Sequence, residues 1–160
     1  MIDAKAIIEA FCERLGVKSG ADAEGVYSFS VDAGGFVIHD LPEEGLLLLT
    51  ADLGQVPPDN AGSLFRLMLE AQHSFRETAG ATFSIDGERD CITLSRVVPY
   101  ATLDEVVLFH EVERFVNLFE AWMHIIRNYE GNKESDETPM ELYGIKVLSN
   151  RVLIHSPLFF

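Results

Sequence analysis

The chain has 160 residues, 26 of them acidic and 12 basic, for a formal net charge of −14. A chain of this length is expected to form one domain and to bury about 68–70% of the surface its unfolded form exposes. So large an excess of carboxylates repels phosphate backbones and anionic lipid, which excludes nucleic acid and membrane surfaces as natural partners.

Asp3 can cap a first helix in which Ile7, Ile8, Phe11, Cys12 and Leu15 recur at three and four positions, with Gly16 closing it in a left-handed conformation. From Val26 to Val31 the chain alternates, Tyr27, Phe29 and Val31 on one face and Ser28 and Ser30 on the other, the pattern of a half-buried strand. Asp32 to Gly35 and Pro42 to Gly45 supply turn residues around a second strand, Phe36 to Leu41, and a third, Leu46 to Leu53, which together predict an antiparallel meander. The third strand is apolar on both faces at Leu46 to Leu49, so a central position under a helix, or cover from another subunit, is expected. After Pro57 and Pro58, Asp59 or Asn60 starts a middle helix; Leu64, Leu67, Met68, Ala71 and Phe75 form its stripe, and Phe65 and Leu69 widen it enough for two contact surfaces. Thr82 to Ile85 and Cys91 to Val98 read as a hairpin around Asp86 to Asp90.

The last long helix is predicted to begin at a T-x-x-E capping box, Thr102 and Glu105, with Asp104 adding charge at the positive end of the dipole. Leu108, Val112, Phe115, Phe119, Trp122, Ile126 and Tyr129 make its apolar stripe, and His110, Glu113, Arg114, Asn117, Glu120, His124 and Arg127 lie opposite. The polar, acidic run from Gly131 to Pro139 reads as a linker, giving a domain over 1–130, a linker over 131–139 and an extension over 140–160. Within the extension, Ile145 to Leu148 and Val152 to His155 flank Ser149-Asn150 as a small hairpin, ending in Pro157-Leu158-Phe159-Phe160. The fold class is α+β, an antiparallel sheet with three helices in the order α-β-β-β-α-β-β-α.

That order carries a family resemblance. The pieces are a short first helix ending in Leu15-Gly16, three strands, the turn Gly54-Gln55-Val56-Pro57-Pro58 leading into Leu64 to Gln72, two more strands, and a long helix with Phe115, Phe119 and Trp122. Over residues 1 to 129 the chain resembles the Tir chaperone family, the class I chaperones of type III secretion. Gln72 stands where many members have Asn at the end of the middle helix. The resemblance implies binding without catalysis and without a cofactor: a homodimer that holds the N-terminal segment of a secreted effector in the bacterial cytoplasm. By position it implies a dimer interface at Leu64, Leu67, Met68 and Ala71, and a client groove at Ile7, Phe11, Tyr27, Phe29 and Ile38. Each groove residue taken singly also fits an ordinary core.

The reactive side chains add little to this. His110-Glu111-Val112-Glu113-Arg114 lacks the second histidine of a helical zinc motif, and the cation in that place would repel a metal, so a solvated face is the stronger reading. His110 and His124 are about 21 Å apart along a helix at 1.5 Å per residue, too far to share one ion. His39, His73 and His155 have no matching ligands near them in sequence. Gly34-Gly35 opens a strand and no lysine follows, so nucleotide binding has no support. Cys12 and Cys91 form neither a C-x-x-C pair nor a disulfide framework, fit packed positions, and suit a reducing cytoplasm. Met1 to Lys5 lacks the character of a signal peptide, and apolar runs such as Leu46 to Leu49 are far too short to span a bilayer. The rival readings are a secretion-linked regulatory protein using the same groove, and a small metal-using enzyme built around acidic residues and His110. The terminal Leu158-Phe159-Phe160 is expected either to cover a groove or to dock on a partner subunit until a client displaces it.

Overall fold

In the computed structural model the described residues are 3–17, 21–22, 25–31, 34–59, 61–75 and 77–129. The expected linker and extension lie outside them. The elements are α1 (Ala4–Arg14), β1 (Val26–Val31), β2 (Gly34–Leu41), β3 (Leu46–Gln55), α2 (Ala61–Gln72), β4 (Thr82–Asp86), β5 (Cys91–Pro99) and α3 (Glu105–Asn128), with short 3-10 turns at His73–Phe75 and Tyr100–Thr102. The predicted order is observed throughout.

Five antiparallel strands form one sheet in the order β1-β2-β3-β5-β4. The apolar β3 is therefore central, flanked by β2 and β5. Because residues directly opposite each other in a ladder point to the same side, register defines the core row by row. Phe29, Phe36, Ala51, Leu94 and Phe83 stand side by side across all five strands. In the neighbouring row Tyr27, Ile38 and Leu49 are followed by Arg96. The alternate rows, Ser28, Val37, Thr50, Ser95 and Thr82, and then Val26, His39, Leu48 and Val97, form the opposite face.

All three helices serve the first face. On α1, Asp3 accepts a hydrogen bond from the Ala6 amide at 3.0 Å, as a cap should. Gly16 closes the helix at φ +67, with the Val17 amide bonded to the Cys12 carbonyl at 3.1 Å. Phe11 packs edge-on against Phe29 and Phe109, which wedges α1 between β1 and the start of α3. Further along α3, Phe115 and Phe119 meet Phe36, and Trp122 meets Phe83 at 4.7 Å between ring centres. Gly34 allows this approach, since a Cβ there would lie 2.5 Å from the Phe119 ring.

Two expectations are corrected. The capping box at Thr102 and Glu105 does not form. Asp104 is the cap itself, accepting from the Val107 amide at 2.7 Å, while Thr102 sits in the preceding 3-10 turn and donates to the Pro99 carbonyl. A carboxylate next to the first helical residue out-competes a hydroxyl two positions further back, because only the former reaches the free amides of the first turn. Phe75 does not extend the stripe of α2: the helix ends at Gln72, Ser74 and Phe75 take φ of 60° and 55°, and Phe75 is 51% exposed. The stripe of α3 is also broader than predicted, since Val116, Leu118 and Ile125 are buried beside the expected residues.

Candidate functional site

Helix α2 separates its apolar residues into two groups. Leu64, Leu67, Met68 and Ala71 are buried within the subunit, whereas Leu69 is 65% exposed and Phe65 is half-buried. Gln72, standing where the family pattern has Asn, accepts a hydrogen bond from the Phe83 amide at 2.7 Å and so pins the end of α2 to β4. Between the two elements lies a shallow apolar groove of about 320 Å³, lined by Phe65, Met68, Leu69, Phe83, Ile85 and Ile92. Its outer wall is β4, an edge strand, with Ile85 half exposed.

The loop that joins α2 to β4 is tied down by Arg96. This cation belongs to the core row, and its Nε bonds Glu111 of α3 while Nη1 donates to the Ala79 carbonyl. Arg114 approaches the other oxygen of Glu111 at 3.4 Å. A charge on the inner face of a sheet is tolerated only when paired and hydrogen-bonded. Here it links β5, α3 and the loop carrying Ala79, fixing the position of β4 relative to the long helix.

The second candidate surface surrounds the other edge of the sheet, β1. Ile7, Leu15, Val17 and Val31 are partly exposed there and rest against the core. Of the five residues expected to form a client groove, Ile7 alone reaches this surface. Phe11 and Ile38 have no exposure, and Tyr27 and Phe29 have 3% and 7%, so these four belong to the core beneath it, Phe11 against Phe29 and Phe109 of α3, and Tyr27 beside Ile38 in the sheet. Similarly, the four residues expected at the dimer interface are inner residues of α2, and the outward positions on that helix belong to Phe65 and Leu69. Alternation and helical period assign residues to a face; they carry no information on whether that face is covered from within the same chain.

The open side of the sheet is more polar. A wide concavity of about 670 Å³ includes Ser28, Ser30, Val37, His39, Thr50 and Asp52. Arg89 closes one end, bonded to both oxygens of Asp52 and to Asp86. Hydrogen bonds from Arg89 and from the Arg89 and Glu88 amides hold the Asp86 carboxyl below the usual carboxylate range. On the core side of the sheet, where Asp40 stands opposite Leu47, Tyr100 donates to Asp40; burial first, then Asp40, pushes the Tyr100 hydroxyl well above the ordinary tyrosine value. Burial, then Glu9 and Asp40, raises that of Tyr27.

Neither histidine of the α3 polar face has a ligand-like setting. His110 lies 3.5 Å from Glu113, and His124 bonds Asn128. Among the described residues no three His, Cys, Asp or Glu side chains are grouped as a metal site, and no helix is long and apolar enough to cross a membrane.

An α-β-β-β-α-β-β-α chain with helices on one side of a five-stranded sheet, an exposed α2–β4 groove and no assembled reactive cluster among the described residues has the architecture of a secretion chaperone. Residues 6–123, from α1 into the last turns of α3, match the model of the Tir chaperone protein (CesT) family. The chain belongs to this family, which is one of chaperones and not of enzymes. Solved structures agree on the fold. The chain is similar to one in the ExsC–ExsE complex, with a TM-score of 0.66 and 21% identity over 76% of this chain and 91% of that one. It is similar to one in the HopA1–SchA chaperone–effector complex, with a TM-score of 0.62 and 15% identity over 76% and 93%. A third likeness is to the ExoU–SpcU complex of the Pseudomonas aeruginosa type III secretion system, with a TM-score of 0.52 and 18% identity over 69% and 96%. No curated protein sequence matches the chain.

Proposed function

We propose that the protein is a cytoplasmic, homodimeric chaperone of bacterial type III secretion, binding the N-terminal segment of a secreted effector and keeping it extended and soluble until export. Family membership supports the class, and the similar structures include complexes of chaperones with effectors. The observation that carries the two-surface reading is that one subunit has separate apolar surfaces at its two sheet edges, around α2 and β4 and around α1 and β1.

The second copy of the chain packs on the α2–β4 groove. Phe65, Leu69 and Ile85 make the contact, and Leu64, Leu67, Met68 and Ala71 hold the helix from behind. The client lies along α1 and β1. Its backbone adds to the free edge of β1, which accepts many sequences, and its apolar side chains settle between Ile7, Leu15, Val17 and Val31. Phe11, Tyr27, Phe29 and Ile38 form the floor under that surface and determine its shape. A formal charge of −14 keeps a protein with two such surfaces in solution.

The test is native mass spectrometry of the protein purified gently from its own host. Two copies with one secreted protein are expected. A species carrying a stoichiometric metal or small molecule, and no secreted protein, overturns the reading.

A further inference from the structure

The last helix of the described chain reaches β4, the strand that forms the outer wall of the apolar α2–β4 groove. Helix α3 meets β2 through Phe115 and Phe119, then meets edge strand β4 through Trp122, so it runs across the sheet toward β4. Tyr129 follows Trp122 by two turns, about 10 Å at 1.5 Å per residue. Helix α3 therefore touches Phe83, one of the residues that line the groove, and continues past it for about two turns. Thirty-one residues, 130–160, reach at most about 100 Å when extended, well beyond the roughly 30 Å diameter of a small domain.

The sequence of that stretch matches the groove in both polarity and charge. All 26 carboxylates of the chain lie within residues 1–141. Residues 142–160 contain none, carry Lys146, Arg151 and His155, and are apolar at eleven of nineteen positions, ending in Leu158-Phe159-Phe160. Glu70 on α2, Glu77 in the loop before β4, and Glu88 and Asp90 in the turn after β4 belong to the segments that frame the groove, whereas Asp86 faces the opposite side of the sheet. Arg66 on α2 is engaged with Glu70 at 2.8 Å, and Arg89 is held on the opposite side of the sheet by Asp52 and Asp86. A basic, apolar segment is the complement of an apolar groove with an acidic rim. The alternation in Arg151-Val152-Leu153-Ile154-His155 also suits addition to an exposed strand edge.

We propose that residues 142–160 occupy the α2–β4 groove of their own subunit, with Leu158, Phe159 and Phe160 against Leu69 and Ile85. The contact stands on the geometry above. Its consequence rests on the homodimer reading: the chain caps its own dimer face, and self-association requires the cap to leave.

The experiment uses the full chain with a photoreactive benzoylphenylalanine in place of Phe159, irradiated as a mixture of isotopically light and heavy copies. Crosslinks within single copies, to peptides containing Phe65 to Leu69 or Phe83 to Ile85, are expected, and Leu69→Asp should reduce them at least tenfold. Crosslinks to other surfaces, crosslinks between light and heavy copies, or none at all overturn the proposal. Sedimentation of the full-length Phe159→Asp variant reads the consequence separately. At least tenfold lower concentration for half-dimerisation is expected, and an unchanged dimerisation midpoint overturns the capping role. A chain that stays monomeric with and without the substitution overturns the homodimer reading, and the crosslinks then decide the contact alone.

Discussion

Replacing Arg96 with Met tests whether the inward cation holds the α2–β4 face in place. The side chain is 11% exposed and makes one charged hydrogen bond to Glu111 and one to the Ala79 carbonyl. Hydrogen bonds to charged groups contribute about 1.5–3 kcal/mol each, and breaking a buried pair by removing one partner costs about 3–5 kcal/mol. Glu111 is 20% exposed and retains Arg114 nearby, which places the expected loss toward the lower end, about 3 kcal/mol. With a urea m value of about 2 kcal/mol/M for a domain of this size, the unfolding midpoint should fall by about 1.5 M. Adding Glu111→Met removes the stranded carboxylate, so the double variant should recover about 2 kcal/mol relative to the sum of the single losses. A loss below about 1 kcal/mol for Arg96→Met, or a double variant whose losses merely add, refutes the argument.

Four further outcomes are expected. Asp104→Ala should cost about 1 kcal/mol of stability in urea unfolding, whereas Thr102→Ala should cost less than half as much, because only Asp104 bonds a free amide of α3. Leu69→Asp should leave the circular dichroism spectrum unchanged and convert a dimer to a monomer in sedimentation; an intact dimer would remove α2 from the interface. Ile7→Asp should yield a folded protein that loses its client in co-purification, while Phe29→Asp, placing a charge at a 7% exposed position, should prevent folding. The fourth concerns alkali. The folded state favours the neutral form of Tyr100, whose value lies above the ordinary 10, so that contribution is complete below pH 10 and is lost as pH rises beyond it. Tyr100→Phe should flatten the decline of the urea midpoint above pH 10, and an equally steep decline in the variant would assign the loss elsewhere.

Local signals determined most of the architecture. Asp3 and Gly16 bounded α1 because capping and a left-handed residue act within one turn, and four apolar residues in a row located β3 at the centre of the sheet. The errors arose where two local signals competed or where the answer was tertiary. Thr102 and Asp104 both suit a cap, and the 3-10 turn at Tyr100–Thr102 decided between them. Arg96 gave no sign in the sequence of standing in a core row, since its partner Glu111 is on an element that pattern alone does not place above β5. The proposed client and dimer residues were legible as apolar faces. Exposure was not: Phe11 by helical period and Ile38 by strand alternation fit a surface groove, yet both are fully buried within the same chain. The extra width from Phe65 and Leu69 was the one sequence signal that a second surface existed on α2, and Leu69 is its exposed part.

The strand order has a kinetic consequence. β1, β2 and β3 pair with sequence neighbours, as do β4 and β5, so each group can assemble from local contacts. The β3–β5 ladder alone joins them, and it must close a loop containing α2 and β4 before its first hydrogen bond forms. Pairing across such a separation carries the largest entropic cost in the sheet and is expected to limit the folding rate. Helix α3 follows later in the chain and packs across both groups, through Phe36 on one side and Phe83 on the other. A growing chain therefore has both halves available before the element that locks them together has been synthesised.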